Sequence, residues 1–145
     1  MARRSVYEFE KIGVVSIWVA TVPLSKIPKT YFEMREDDDE EAFTPFSNDF
    51  GFGWYDHDSV DSNNSSEKPK SLDRLIGECS FSVSFSDKAV AAAKKQGLDK
   101  TPAVFLLYDI DYRPKMTGVS QSKYMAFLGS FKHDPDAESV FLFAP

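Results

Sequence analysis

Cysteine is almost missing from this chain: Cys79 stands alone among 145 residues. A single cysteine excludes an intrachain disulfide and any multi-cysteine zinc site. It also suits a reducing compartment. Histidine is nearly as scarce, with only His57 and His133, so acid/base chemistry would have to lean on carboxylates. The seven glycines are scattered, and Gly51-Phe52-Gly53 lacks the rest of any nucleotide fingerprint. The longest apolar-rich stretch, Gly13 to Pro23, is about half the ~20 residues a membrane span needs. Excess positive charge is lacking too. Seventeen Lys and Arg against 23 Asp and Glu give −6, a poor basis for non-specific nucleic-acid binding. Met1-Ala2-Arg3-Arg4 begins like a signal peptide, but Tyr7-Glu8-Phe9-Glu10-Lys11 puts charges where an apolar region belongs. The expectation is a soluble, cytoplasmic protein that touches neither membrane nor nucleic acid directly.

What the chain does have is aromatic and apolar mass. Hydrophobic residues make up 42%, aromatic residues 14%, and Phe alone accounts for thirteen. A chain of this length buries roughly two-thirds of its unfolded surface. Residues 1–145 therefore read as a single domain with an aromatic-rich core. No internal repeat is present.

The charge is local. Residues 33–61 hold eleven acids (Glu33, Glu36, Asp37, Asp38, Asp39, Glu40, Glu41, Asp49, Asp56, Asp58, Asp61) and one base, Arg35, a net −10. The remainder holds sixteen bases and twelve acids, a net +4. Consecutive like charges repel and stay solvated, so a mobile acidic loop is expected near 36–42. A second loop, polar and rich in Ser and Asn, is expected near 61–70.

Val14 to Val22 is β-branched and apolar on both alternating sets, the pattern of a central strand covered on both faces. Ser25 is placed to cap a helix running to about Arg35, with Ile27, Tyr31 and Met34 as its apolar stripe. Thr44-Pro45 has the N-cap and N1 pattern. Phe46 and Phe50 then share a face, and Gly51 closes the turn. Ser71 to Gly77 predicts a short helix with Leu72, Leu75 and Ile76 inward. A longer helix is expected from Asp87 to Gln96, capped by Ser86 and ended by Gly97. Thr101 to Tyr112 and Tyr124 to Phe131 read as strands joined by a hairpin loop, Arg113 to Lys123. Val140 to Phe143 suggests a fourth strand. The fold class is α+β: a mostly antiparallel sheet of three to five strands with helices packed against it.

Few constellations carry chemistry. Asp56-His57-Asp58 invites a metal or acid/base reading. In an extended chain, however, the two carboxylates point opposite to the imidazole. A metal-dependent hydrolase would need Asp49 beside Asp56, His57 and Asp58. His133-Asp134 is an adjacent pair of orienting type, or a strand end running into a turn. Asp109 and Asp111 share a strand face. Cys79 has no basic neighbour and reads as a buried, inert thiol. Trp54 and Tyr55 are core residues or, for one of them, an exposed anchor of the kind that dominates interfaces. The acidic run is a solvated loop or the complement of a basic partner surface.

In order along the chain, Val15-Ser16-Ile17-Trp18-Val19, Pro45-Phe46-Ser47-Asn48-Asp49-Phe50-Gly51 and Trp54-Tyr55-Asp56-His57-Asp58 resemble the immunity protein 22 family of bacterial polymorphic toxin systems. Ser71-Leu72-Asp73-Arg74-Leu75, Ser84-Phe85-Ser86, Tyr108-Asp109 and Phe127-Leu128-Gly129-Ser130-Phe131 extend the likeness across residues 14–132. Ala20 and His57 depart from it, where Gly and Glu are usual. The resemblance implies a protein that binds and neutralises a cognate toxin, often a nuclease, with no catalysis and no cofactor. The acidic segment adds a mechanism: carboxylates that mimic nucleic acid on the toxin's basic surface. The expected contact residues are Asp37, Asp38, Asp39, Glu40, Glu41, Asp49, Trp54, Tyr55, Asp56 and Asp58.

Overall fold

The run read as a central strand is one. In the computed structural model, which describes residues 3–36, 42–65 and 68–141, strand β1 spans Glu10–Ala20 and is buried from Val14 onward. Along the chain follow the two-residue strands β2 (Arg35–Glu36) and β3 (Ala42–Phe43), helix α1 (Pro45–Asp49) and strand β4 (Val60–Asn64). Next come β5 (Lys70–Ser71), α2 (Leu72–Ile76), α3 (Ser86–Gln96), β6 (Lys100–Thr101), β7 (Ala103–Ile110), α4 (Pro114–Thr117) and β8 (Met125–Lys132). The main sheet has the order β4-β7-β1-β8, antiparallel throughout. The α+β expectation with an antiparallel sheet holds.

Alternation along β1 builds two cores. Val15, Ile17 and Val19 face α2 and α3, where Leu72, Leu75, Ile76, Ala89 and Ala93 are buried against them. Trp18 and Ala20 face the other way, into a layer of Phe9, Tyr31, Phe46, Phe50, Phe52, Tyr55, Phe105 and Tyr112. Trp18 is fully buried and sits opposite Phe105 on β7 and Phe127 on β8. Phe46 meets it edge-on at 5.1 Å, the geometry that ring quadrupoles favour. Ser16 is a polar residue on this face. Its Oγ donates to the Ile110 carbonyl at 2.6 Å and accepts the Tyr112 N–H at 2.9 Å.

Several helices follow their local signals. Thr44 Oγ1 accepts the Ser47 N–H at 2.9 Å and Pro45 occupies the first turn of α1. Phe46 and Phe50 are fully buried, and Gly51 takes φ +84° beyond the end. α3 ends at left-handed Gly97 as expected, but Ser86 is not its cap: the helix begins at Ser86, Phe85 holds the cap position, and no side chain caps it.

Four further expectations are corrected. No helix forms after Pro23: Leu24–Lys26 is one 3-10 turn, and Ile27 is extended at φ −86°, ψ 125°. A residue before proline is pushed out of the helical region, and Pro28 does that here. Tyr31 and Phe32 enter the aromatic layer from a turn instead. The segment 113–123 is not a hairpin loop. β7 and β8 both pair with β1, so the connection crosses over β1 and carries α4. A central strand satisfies its backbone groups on both edges this way. Residues 61–64 of the expected polar loop are strand β4, paired with β7. The fourth strand of the main sheet is β4. Val140 and Phe141 lie in a bend, with the Val140 N–H donating to Ser82 Oγ at 2.8 Å, while Leu142 and Phe143 lie outside the described residues. The acidic positions Asp37 to Glu41 also lie outside them, between the paired β2 and β3.

Candidate functional site

The chain near Trp54 is stitched to the N-terminal segment. Arg4 N–H donates to the Gly51 carbonyl at 2.9 Å, and Gly53 N–H donates to the Arg4 carbonyl at 3.1 Å. The N-terminal segment then turns through residues 6–9 under a capping box. Ser5 Oγ accepts the Tyr7 N–H at 3.2 Å, and Glu8 Oε2 accepts the Ser5 N–H at 3.1 Å. These two local devices set Tyr7 beside Trp54, with ring centroids 6.2 Å apart and planes tilted by 35°. Tyr7 is 63% exposed and Trp54 42% exposed.

Exposed aromatic pairs cost hydrophobic free energy and mark contact sites. This pair forms a ridge between two hollows. One, of about 140 Å³, is walled by Tyr7, Trp54, Glu10 and Asp56. The other, of about 320 Å³, is lined by Arg3, Arg4 and Gly53. The ridge is acidic on one flank and basic on the other. A separate recess of about 490 Å³ opens beside β4, between Phe32, Tyr55, Phe105, Lys29 and His57.

The expected contact residues divide clearly. Trp54 is on the surface. Tyr55 is only 1% exposed and belongs to the core, which corrects its assignment as a contact residue. Burial pushes its phenol up to about 12, with the Thr44 hydroxyl pulling the other way. Asp56 is exposed, and its Oδ1 accepts the Asp58 N–H at 2.9 Å, capping the turn His57–Ser59. Asp58 is exposed on that turn. Asp49 lines neither hollow; at the end of α1 it accepts the Tyr31 hydroxyl at 2.8 Å. Asp37, Asp38, Asp39, Glu40 and Glu41 are outside the described residues.

Tyr7 and Glu10 are the surface residues that sequence reasoning missed. The Ser5-x-x-Glu8 spacing is a legible capping signal and marks Tyr7 as a helical-turn residue. It says nothing about which distant segment Tyr7 meets.

The hydrolase constellation is not assembled. Among the described residues no group of three or more His, Cys, Asp and Glu is placed to hold a metal ion. Asp49 is engaged by Tyr31, and His57 packs on Tyr55 with ring centroids 5.2 Å apart. His133 pairs with Asp109 at 3.2 Å, not with its neighbour Asp134. Asp111 lies 3.6 Å from Arg113 Nε. Cys79 is buried, and burial, with Asp61 and Glu78 nearby, pushes its thiol up. That is the state of an unreactive thiol. Among the described residues no helix is long and apolar enough to cross a membrane.

The exposed Tyr7–Trp54 pair thus stands on a small α+β fold with an antiparallel main sheet. The chain belongs to the family described as Immunity protein 22, which matches residues 15–134. Trp54 and Asp56 fall inside that span, whereas Tyr7 and Glu10 precede it. No curated protein and no solved structure matches the chain.

Proposed function

We propose that this protein binds a cognate bacterial toxin in the cytoplasm and neutralises it by covering the toxin's working surface. The observation that carries this reading is the exposed Tyr7–Trp54 pair, flanked by Glu10 and Asp56. The toxin class is a nuclease. A nuclease needs a basic surface to hold phosphates, and residues 33–61 carry a net −10 that complements such a surface. The ridge supplies the desolvated anchor. Asp37 to Glu41, Asp56 and Asp58 supply the long-range attraction that speeds encounter. Inhibition by occlusion needs no catalysis, cofactor, metal or membrane.

The test is co-expression with the product of the adjacent toxin gene, followed by kinetics of association and an assay of toxin activity. The expected result is a stable complex with suppressed nuclease activity. Neutralising Asp37, Asp38, Asp39, Glu40 and Glu41 together should slow association by roughly tenfold at low salt and flatten its salt dependence. An unchanged association rate rejects the steering mechanism. A toxin that is bound but cleaves no nucleic acid rejects the nuclease assignment.

A further inference from the structure

We infer that the hollow beside Tyr7 and Trp54 is a socket for one arginine side chain of the partner, an inference that rests on the toxin-binding reading above. The hollow measures about 140 Å³, room for a side chain and not for a folded segment. Its floor is apolar, made by the buried residues Val6, Leu107 and Ile110, and suits the aliphatic stem of a long cationic side chain. Its walls include the two exposed rings, and a guanidinium stacks on aromatic faces. Its rim carries Glu10 and Asp56.

Those two carboxylates await a cation. Among the described residues neither Glu10 nor Asp56 forms an ion pair, whereas Glu8 next door takes Arg4 at 3.0 Å. The molecule's own nearby arginines are committed elsewhere. Arg4 Nε donates to the Met116 carbonyl at 3.0 Å, and Arg3 Nε donates to Asn48 Oδ1 at 2.9 Å with its guanidinium over Phe43. The socket walls are also held before any partner arrives. The Ser5–Glu8 capping box fixes the turn carrying Tyr7, and the Asp58 N–H fixes the Asp56 carboxylate. Preorganisation of this kind lowers the cost of binding. Arginine fits better than lysine because a planar guanidinium can stack and reach two carboxylates at once, while an ammonium is smaller and more strongly hydrated.

The experiment has two arms. In the first, N-acetyl-arginine amide is titrated into the full chain while the two tryptophan indole N–H resonances are followed, the Trp54 resonance being assigned by its loss in Trp54→Phe. The Trp54 resonance should move saturably and that of buried Trp18 should not. The neutral isostere N-acetyl-citrulline amide should leave both in place. Glu10→Gln with Asp56→Asn should weaken the arginine response by about tenfold. Equal responses to both probes, or no effect of the double variant, overturn the socket. In the second arm, affinity for the adjacent-gene toxin is compared between the wild type and the double variant. An equal, tight affinity for both overturns the socket and leaves the toxin-binding reading standing. A wild type that fails to bind the toxin overturns that reading, and with it the partner named here for the socket.

Discussion

Asp109 reaches His133 from a backbone conformation that costs energy. Its φ is +62°, in the left-handed region. From there its Oδ1 lies 3.2 Å from His133 Nε2 and accepts the Gly13 N–H at 2.9 Å. It sits where the β1–β7 register slips between Glu10 and Val15. The irregularity turns Asp109 out of simple strand alternation and hands its carboxylate to two neighbouring segments. The shared strand face expected for Asp109 and Asp111 is not regular here, since Asp109 has positive φ and Asp111 lies beyond the end of β7.

This geometry separates two substitutions. Asp109→Asn keeps an acceptor for Gly13, and asparagine tolerates positive φ. It should cost about 1 kcal/mol or less. Asp109→Ala strands the Gly13 N–H and His133 Nε2 and places a Cβ-bearing residue at φ +62° with nothing gained. It should cost about 3 kcal/mol. Urea unfolding of the two variants measures both. Equal losses would mean that the hydrogen bonds contribute nothing.

Adjacent aromatic residues should behave in opposite ways. Trp54 is 42% exposed and Tyr55 1% exposed. Trp54→Ala should change stability by less than about 1 kcal/mol while weakening toxin binding by about 2 kcal/mol, roughly thirtyfold. Tyr55→Ala empties core volume and should cost about 3–5 kcal/mol of stability. Paired thermal melts and affinity measurements check this. A large stability loss in Trp54→Ala would reassign it to the core.

Ser16 is a fully buried polar residue in the middle of the sheet. Its hydroxyl bridges the Ile110 carbonyl and the Tyr112 N–H, and it lies 3.1 Å from Ser130 Oγ. It fastens the end of β7 to β1 just where the register is irregular. Ser16→Ala should cost about 2 kcal/mol, since the buried Tyr112 N–H is left without its acceptor. Ser16→Val should cost more, because it adds volume as well. Denaturant midpoints distinguish the two variants, and a Ser16→Ala midpoint equal to that of the wild type would show that the hydroxyl bridge is dispensable.

Elements with local signals were legible in the sequence. Thr44-Pro45, the stop at Gly97, and the β-branched run of β1 carry their cap, breaker and periodicity within a few residues. β4 was not legible because, after Val60, its residues Asp61-Ser62-Asn63-Asn64 are not strand formers. It forms because β7 offers it an open edge. Its side chains are also tied down: Ser80 N–H donates to Asp61 Oδ2 at 2.8 Å, and Asn63 Nδ2 donates to the Leu75 carbonyl at 3.1 Å. The crossover from β7 to β8 was illegible for a related reason, since it depends on β1 taking the slot between them. At the surface, Trp54 and Tyr55 between Asp49 and Asp56 could be read as an acid-rimmed aromatic patch, of which Trp54 and Asp56 are exposed beside one hollow while Tyr55 is buried. Tyr7 and Glu10 complete it through the pairing of Arg4 with Gly51 and Gly53, a contact between distant segments that no local pattern encodes.

The buried tyrosines of the two cores set an alkaline limit on stability. Burial raises the phenols of Tyr55 and Tyr112 to about 12, and those of Tyr31 and Tyr108 higher still. In the unfolded chain a tyrosine ionises near 10. A folded pKa above the unfolded one means that the folded state holds its proton more tightly. The associated stability is therefore fully present below pH about 10 and is lost as pH rises toward 12 and beyond. Unfolding free energy should fall steeply above pH about 10, with phenolate absorbance from these four residues developing together with the loss of tertiary structure. Tyr112→Phe tests the assignment further. Its phenol lies 2.6 Å from the Val119 carbonyl and 2.9 Å from the Phe50 carbonyl, which share its one proton, so the variant should be less stable at neutral pH and should lose less on moving to alkaline pH. An alkaline slope unchanged by Tyr112→Phe would place the limit in other groups.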